Sequence, residues 1–335
     1  MTNDSTPALQ VGLTFRIDDA LIAEIEAVDP RIRVIRMFEI SGSQEPDAET
    51  KARLLRDLAN VEVLMGTTGT AREYFEAATS LRWFQSINAG LERLEREGVL
   101  GMGFAVTSGA GIASVAIAEW IVGSMVMLTK NLHVYVRQQG ESRWESRRSG
   151  ELDGKTVGIV GLGAIGRETA RRCRAFGMQV IASRRTVPAG TVDPDCDLLV
   201  PHSELPRLLA ESDYVVLSLP LTAETRGLIG SAELAQMKPT AYLLNVARGD
   251  VVDQSALVDA LRAGTIAGAA LDVTSPEPLP AESELWALPN LILTPHMSGN
   301  VEGYGHKAAG VFVANLRRYV TGEQLEHLAN PSLGY

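Results

Sequence analysis

Gly161-Leu-Gly-Ala-Ile-Gly166 directly follows the apolar run Thr156–Val160 and opens a stretch with helical patterning. Three glycines at that spacing suit a chain that must wrap around a phosphate. Gly161 permits the tight turn, Gly163 lets backbone amides approach a pyrophosphate, and Gly166 lets the helix pack closely on the strand. The helix amino terminus, with Ala164 and Ile165 in its first turn, adds unpaired N–H groups and a positive dipole end. The spacing alone also occurs as an ordinary turn; a strand before it and a helix behind it point to a dinucleotide. At the end of the next strand, where an acidic residue would accept a ribose 2′-hydroxyl, the chain has Ser183-Arg184-Arg185. A hydroxyl and two guanidinium groups there suit a 2′-phosphate, so NADP is favoured and NAD remains possible.

Of the five histidines, His133, His202, His306 and His327 have no chemical neighbourhood that the sequence reveals. His296 differs, because Leu291-Ile-Leu-Thr-Pro-His296 puts it just past the carboxyl end of a buried-type strand. In open α/β sheets ligands bind at that edge. Arg248 follows the run Ala241–Asn245, Asp272 ends the run from Ile266, and Glu277 follows in a proline-stiffened loop. Each alone reads as a surface charge. Together with the glycine loop they describe one site with a cation, an acid and an imidazole.

These residues need a scaffold, and the patterning supplies one. Short apolar runs at Val11–Phe15, Ile32–Met37, Val61–Met65 and Leu81–Ile87 alternate with helical patterns at Ala20–Val28, Ala48–Leu58 and Ala71–Ala78. One long helix is expected from Ser114 to Val136, then a polar connection from Trp144 to Asp153. The alternation restarts with strands at Thr156–Val160, Gln179–Ala182, Tyr214–Leu217, Ala241–Asn245, Ile266–Ala270 and Leu291–Leu293. Helices are expected at Glu204–Ala210, Gln254–Ala263 and Val311–Val320. Such alternation implies βαβ units and parallel sheets.

The chain has 335 residues, enough for two ordinary domains. Its formal charge of −10 disfavours nonspecific nucleic-acid binding. Two cysteines, Cys173 and Cys196, suit a reducing compartment, and no metal cluster is expected. Residues 1–7 lack the basic start and apolar block of a secretion signal. The longest uncharged run, Gly98–Ala118, is glycine-rich and makes a poor membrane helix. A cytoplasmic protein without a membrane partner is the expectation.

In this order, Leu152–Gly166, Leu219–Thr225, Leu244–Gly249, Leu271–Val273 with Glu277-Pro278, and Thr294–His296 resemble the D-isomer-specific 2-hydroxyacid dehydrogenase family. That family includes glyoxylate/hydroxypyruvate reductases, D-lactate dehydrogenases and phosphoglycerate dehydrogenases. The resemblance implies an α/β chain of two Rossmann/flavodoxin-like parallel-sheet domains, the cofactor domain inserted into the substrate domain. It places residues 1–108 with 299–335 in the substrate domain and 109–298 in the cofactor domain, with the active site in a hinged cleft between them.

The activity implied is reversible NAD(P)H-dependent reduction of a small 2-oxo acid to the D-2-hydroxy acid. Arg248 would hold the substrate carboxylate and polarise the carbonyl, His296 would donate the proton, and Glu277 would orient His296. An adjacent guanidinium and imidazolium both stabilise the charge that develops on the carbonyl oxygen. Asp272 would hold the nicotinamide carboxamide, while Leu219, Pro220, Thr225, Val246 and Ala247 would line the cofactor cleft. Backbone amides of the loop Asn88, Ala89 and Gly90 would receive the substrate carboxylate. That loop departs from the family's usual Gly-Ala-Gly-Val-Asp form, so side-chain selectivity there is open. Met65, Gly66, Trp286 and Met297 are candidates for the pocket wall or for plain packing. The apolar helix after Ser114 implies a homodimer. Glu277 stands where formate dehydrogenases usually carry glutamine, which disfavours that branch. A dinucleotide-sensing, corepressor-like binding protein of the same fold is the alternative.

Overall fold

The computed structural model describes residues 7–41, 45–185, 187–188 and 191–330. The amino-terminal segment read above for a secretion signal lies, apart from Pro7, outside the described residues. The chain divides into two compact units, Met1–Ile112 with Glu302–Tyr335, and Ala113–Val301.

In the first unit, β1 (Leu9–Leu13), α1 (Asp19–Glu26), β2 (Ile32–Arg36), α2 (Ala48–Leu58), β3 (Val63–Gly66), α3 (Arg72–Ala77), β4 (Trp83–Ser86), α4 (Glu92–Arg96) and β5 (Ala105–Thr107) follow in order. The strands form a parallel sheet in the order β2-β1-β3-β4-β5. Val11, Leu13, Val63, Met65 and Trp83 are buried on one face. Leu64 and Phe84, at the alternate positions, are buried on the other among Leu54, Leu58 and Phe75. Both faces are covered, which is why these strands read as near-continuous apolar runs.

The second unit opens with α5 (Ser114–Thr129) and α6 (Leu132–Gly140). The single helix expected from Ser114 to Val136 is therefore two helices, bent by 69°. Asn131 takes a left-handed backbone with φ 55°, a conformation asparagine tolerates and an α-helix cannot continue through. Then come β6 (Thr156–Val160), α7 (Ala164–Ala175), β7 (Gln179–Arg184), β8 (Leu198–Pro201), α8 (Leu205–Glu211), β9 (Tyr214–Leu217), α9 (Ser231–Leu234), β10 (Tyr242–Asn245), α10 (Gln254–Ala263), β11 (Gly268–Leu271) and β12 (Leu291–Leu293). Their order is β12-β11-β10-β9-β6-β7-β8, and every adjacent pair is parallel. The sheet reverses direction of growth at β6 and β9, the switch point where open α/β sheets take ligands.

Two strands, β5 and β8, fall outside the runs expected from the sequence; both are at sheet edges and only three and four residues long. The last helix, α11 (Tyr304–Thr321), begins seven residues before the expected Val311 and belongs to the first unit. Phe312 stacks on Trp83 at 5.3 Å, and Asn315 Nδ2 donates to Gln85 Oε1 at 3.0 Å. On α5, Ile121, Val122, Met125 and Leu128 are buried in a core of its own unit that also takes in Ala170 and Cys173 of α7. No single described helix is long and apolar enough to cross a membrane.

Candidate active site

The three glycines of the loop after β6 are required for different reasons. Gly161 has φ 103°, and a β-carbon there would meet the Ser218 carbonyl oxygen at 2.6 Å. At Gly166 it would meet the Gly161 carbonyl oxygen at 2.3 Å. At Gly163 it would meet nothing within 4 Å, so the protein itself leaves that space open. Gly163 is also the N-cap of α7, and no side chain caps the helix there. Open space over uncapped amides at a positive helix end is what a pyrophosphate needs, so these residues fit a dinucleotide.

Neighbouring segments shape the loop. The Ser183 carbonyl accepts from the Gly161 and Leu162 amides, both at 3.2 Å, so the tip of β7 is locked against the glycine turn. Arg184 and Arg185 are exposed beyond it. Arg185 reaches Glu224 at 3.3 Å, and Arg184 acts electrostatically on Asp193. Hydrogen bonds from Arg167 are the main reason the Asp193 carboxyl lies below its usual range. The Thr225 hydroxyl donates to the Pro220 carbonyl at 2.7 Å and accepts from the Thr222 amide at 2.8 Å, stapling the loop that starts at Leu219.

His296 and Glu277 come together. His296 Nδ1 lies 2.8 Å from Glu277 Oε2, while Glu277 Oε1 accepts from the Thr274 amide at 3.0 Å. Both line a pocket of about 530 Å³ with Asp272, Leu279, Trp286 and Leu293. His296 has φ 50°, a left-handed backbone that is costly for any residue with a β-carbon. Asp272 holds it there. The Asp272 carbonyl accepts the His296 amide at 2.8 Å. Its carboxylate accepts from the Thr294 hydroxyl at 2.6 Å, the Met297 and Ser298 amides at 2.9 and 3.0 Å, and the Ser298 hydroxyl. A carboxylate has about four acceptor positions, and here the loop around His296 fills them. These bonds tie the Asp272 carboxylate to the loop that carries His296.

Arg248 is half-buried on the turn after β10, where its Nη1 donates to the Ala247 carbonyl at 2.7 Å. Asn245 spans that turn, accepting from the Ala247 amide at 3.0 Å and donating to the Arg248 carbonyl at 2.9 Å. Val246 and Ala247 are buried beside it. Asn245, Thr294 and Ser298 are supports that the sequence did not single out, although each is a small polar residue at or shortly past a strand end. In the first unit, the loop Asn88, Ala89 and Gly90 is held by its own bonds. Asn88 Oδ1 accepts the Thr68 amide at 3.0 Å, and the Asn88 amide donates to Ser86 Oγ at 3.0 Å. Met65 is fully buried core, whereas Trp286 lines the pocket and Met297 is exposed. His306 pairs with Asp18 at 3.1 Å, and His133 is half-buried with its pKa lowered, chiefly by desolvation. Among the described residues, no cluster of His, Cys, Asp and Glu is arranged to hold a metal.

A glycine turn at the sheet's switch point and an imidazole–carboxylate pair on the loops after β11 and β12 thus belong to one unit. The family model described as "D-isomer specific 2-hydroxyacid dehydrogenase, NAD binding domain" matches residues 122–298. A glyoxylate/hydroxypyruvate reductase B of Pectobacterium carotovorum is 32% identical over 82% of this chain and 88% of its own length. A D-3-phosphoglycerate dehydrogenase of Methanocaldococcus jannaschii is 33% identical over 88% of this chain, which spans only 57% of that relative's length. Among solved structures, a D-isomer specific 2-hydroxyacid dehydrogenase from Xanthobacter autotrophicus, in complex with NADPH and MES, superposes with a TM-score of 0.80. It is 29% identical, covering 98% of this chain and all of the other. This chain belongs to the D-isomer specific 2-hydroxyacid dehydrogenase family, and its second unit carries that family's nicotinamide-dinucleotide-binding domain.

Proposed function

We propose that this protein reduces a small 2-oxo acid of the glyoxylate or hydroxypyruvate type to the D-2-hydroxy acid, with NADPH as the preferred reductant. The single observation that carries the reading is the His296–Glu277 pair at 2.8 Å, held on the loops after β11 and β12 of a dinucleotide-binding unit. The glycine loop and the amino terminus of α7 would hold a nicotinamide dinucleotide, which would supply hydride chemistry for the carbonyl carbon. His296, with Nδ1 turned to Glu277, presents Nε2 to give a proton to the carbonyl oxygen. Arg248 neutralises the substrate carboxylate and stabilises the oxygen as it becomes negative. The balance is one 2-oxo acid, one NADPH and one proton consumed for one 2-hydroxy acid and one NADP⁺. Relatives named as glyoxylate reductases support the substrate class. Arg184 and Arg185, exposed at the tip of β7, support NADPH over NADH.

A homodimer is part of this proposal. Val115, Leu132, Val136 and Trp144 are exposed apolar side chains on and just after α5 and α6, and burial against a second copy would cover them. Light scattering that returned one chain's mass at micromolar concentration would remove that part. The activity is tested by following NADPH and NADH oxidation against a panel of 2-oxo acids. Turnover is expected with glyoxylate or hydroxypyruvate and faster with NADPH; a protein inert towards every 2-oxo acid and both cofactors would sink the reading.

A further inference from the structure

Arg248 and Glu277 sit on separate loops, after β10 and β11, yet the reaction proposed above needs both at a fixed spacing. The two loops touch at the backbone: a β-carbon on Gly249 would meet the Thr274 carbonyl oxygen at 2.1 Å. Their side chains then lock together. Asp250 accepts from the Ser275 hydroxyl through Oδ1 and from Arg226 at 2.5 Å through Oδ2. The Ser275 amide donates to Gln254 Oε1 at 3.2 Å. From Ser275 the linkage continues through Thr274, whose amide donates to Glu277 Oε1, and through Glu277 to His296.

The chemistry of this loop makes those ties important. Pro276 and Pro278 have no N–H to contribute, so Ser275, with both its amide and its hydroxyl, anchors the Thr274–Pro278 stretch to the rest of the unit. Thr274, Glu277 and His296 line the pocket. Asp250 is paired with Arg226 and bonded to Ser275, which adjoins Thr274 in that stretch.

We propose that Asp250 and Ser275 are a positioning pair for the reaction, joining the loop of Arg248 to the loop of Glu277 and thereby aiming His296. The inference rests on the activity proposed above. A displacement of about 1 Å in such a support can cost up to ~100-fold in rate.

The test compares Ser275→Ala, Asp250→Ala, their double variant and Ser275→Thr, which keeps the hydroxyl. For each, turnover of the preferred 2-oxo acid is measured beside NADPH affinity from fluorescence and the thermal unfolding midpoint. The expected result is a kcat roughly tenfold lower in both alanine variants, NADPH affinity unchanged, and kcat recovered in Ser275→Thr. The double variant should be no worse than the worse single one, because both changes cut the same linkage. Unchanged kcat in both alanine variants overturns the inference. So does a loss of NADPH affinity or thermal stability that parallels the loss of kcat, since that marks loosening of the whole unit. Failure of the underlying reading looks different: the wild-type protein would then turn over no 2-oxo acid.

Discussion

The loop of His296 and the tip of β7 are both built at the carboxyl ends of strands in one sheet, and they are built in opposite ways. His296 is fixed by Asp272 through a carbonyl and four bonds to a carboxylate, with Glu277 on its ring. Arg184 and Arg185 project from Ser183 into solvent, and Arg185's bond to Glu224 joins two exposed side chains at 3.3 Å. The first arrangement holds an unfavourable backbone conformation in place, as the proposed proton donor requires. The second, in its proposed role at a 2′-phosphate, needs only charge, which long exposed side chains provide without exact geometry. Changes to the first should damage turnover, and changes to the second should alter preference.

Among the groups that support His296 rather than His296 itself, the largest contrast is expected at Asp272. Asp272→Asn replaces one oxygen by an NH₂ group facing donors, leaving loop amides unsatisfied at about 1–3 kcal/mol. Steady-state kinetics should show kcat reduced by roughly a hundredfold with substrate KM much less affected. At the other region, Arg184→Asp should raise the KM for NADPH by roughly tenfold or more and leave kcat near wild type. An unchanged NADPH/NADH preference would remove Arg184 from the 2′-phosphate.

A smaller effect separates the two inside the glycine loop. Gly163→Ala should leave the unfolding midpoint unchanged, because its β-carbon meets nothing within 4 Å, while cofactor affinity falls several-fold. Gly166→Ala should instead destabilise the unit, since its β-carbon would lie 2.3 Å from a carbonyl oxygen. Beneath both regions no effect at all is expected from thiol reagents. Burial pushes the Cys173 thiol up to about 12 and, as the main cause, Cys196 up to about 11. Near neutral pH both should resist modification in the folded protein and react after unfolding.

The fold was legible because both sheets are covered on both faces, so their strands appear as apolar runs between helical patterns. Legibility failed where a local conformation overrode the pattern. Apolar spacing continues through Asn131, but its left-handed backbone divides α5 from α6. At the site, the glycines and His296 stood out because turns and strand ends leave a signature in the neighbouring residues. The work of Asp272 could not be read the same way. Its partners Thr294, Met297 and Ser298 lie more than twenty positions away, and which of their groups face the carboxylate is set only by the folded loop. Ser275 and Asp250 are separated in the same manner and were invisible for the same reason.

The central claim is that His296 delivers the proton that accompanies hydride transfer, and His296→Gln tests it most directly. NADPH oxidation by wild type and variant should be followed with the preferred 2-oxo acid at saturating substrate, with NADPH binding measured separately by fluorescence. The account predicts kcat lower by roughly 10²–10⁴-fold with NADPH affinity retained. A variant that turns over at the wild-type rate while binding NADPH equally well would contradict it.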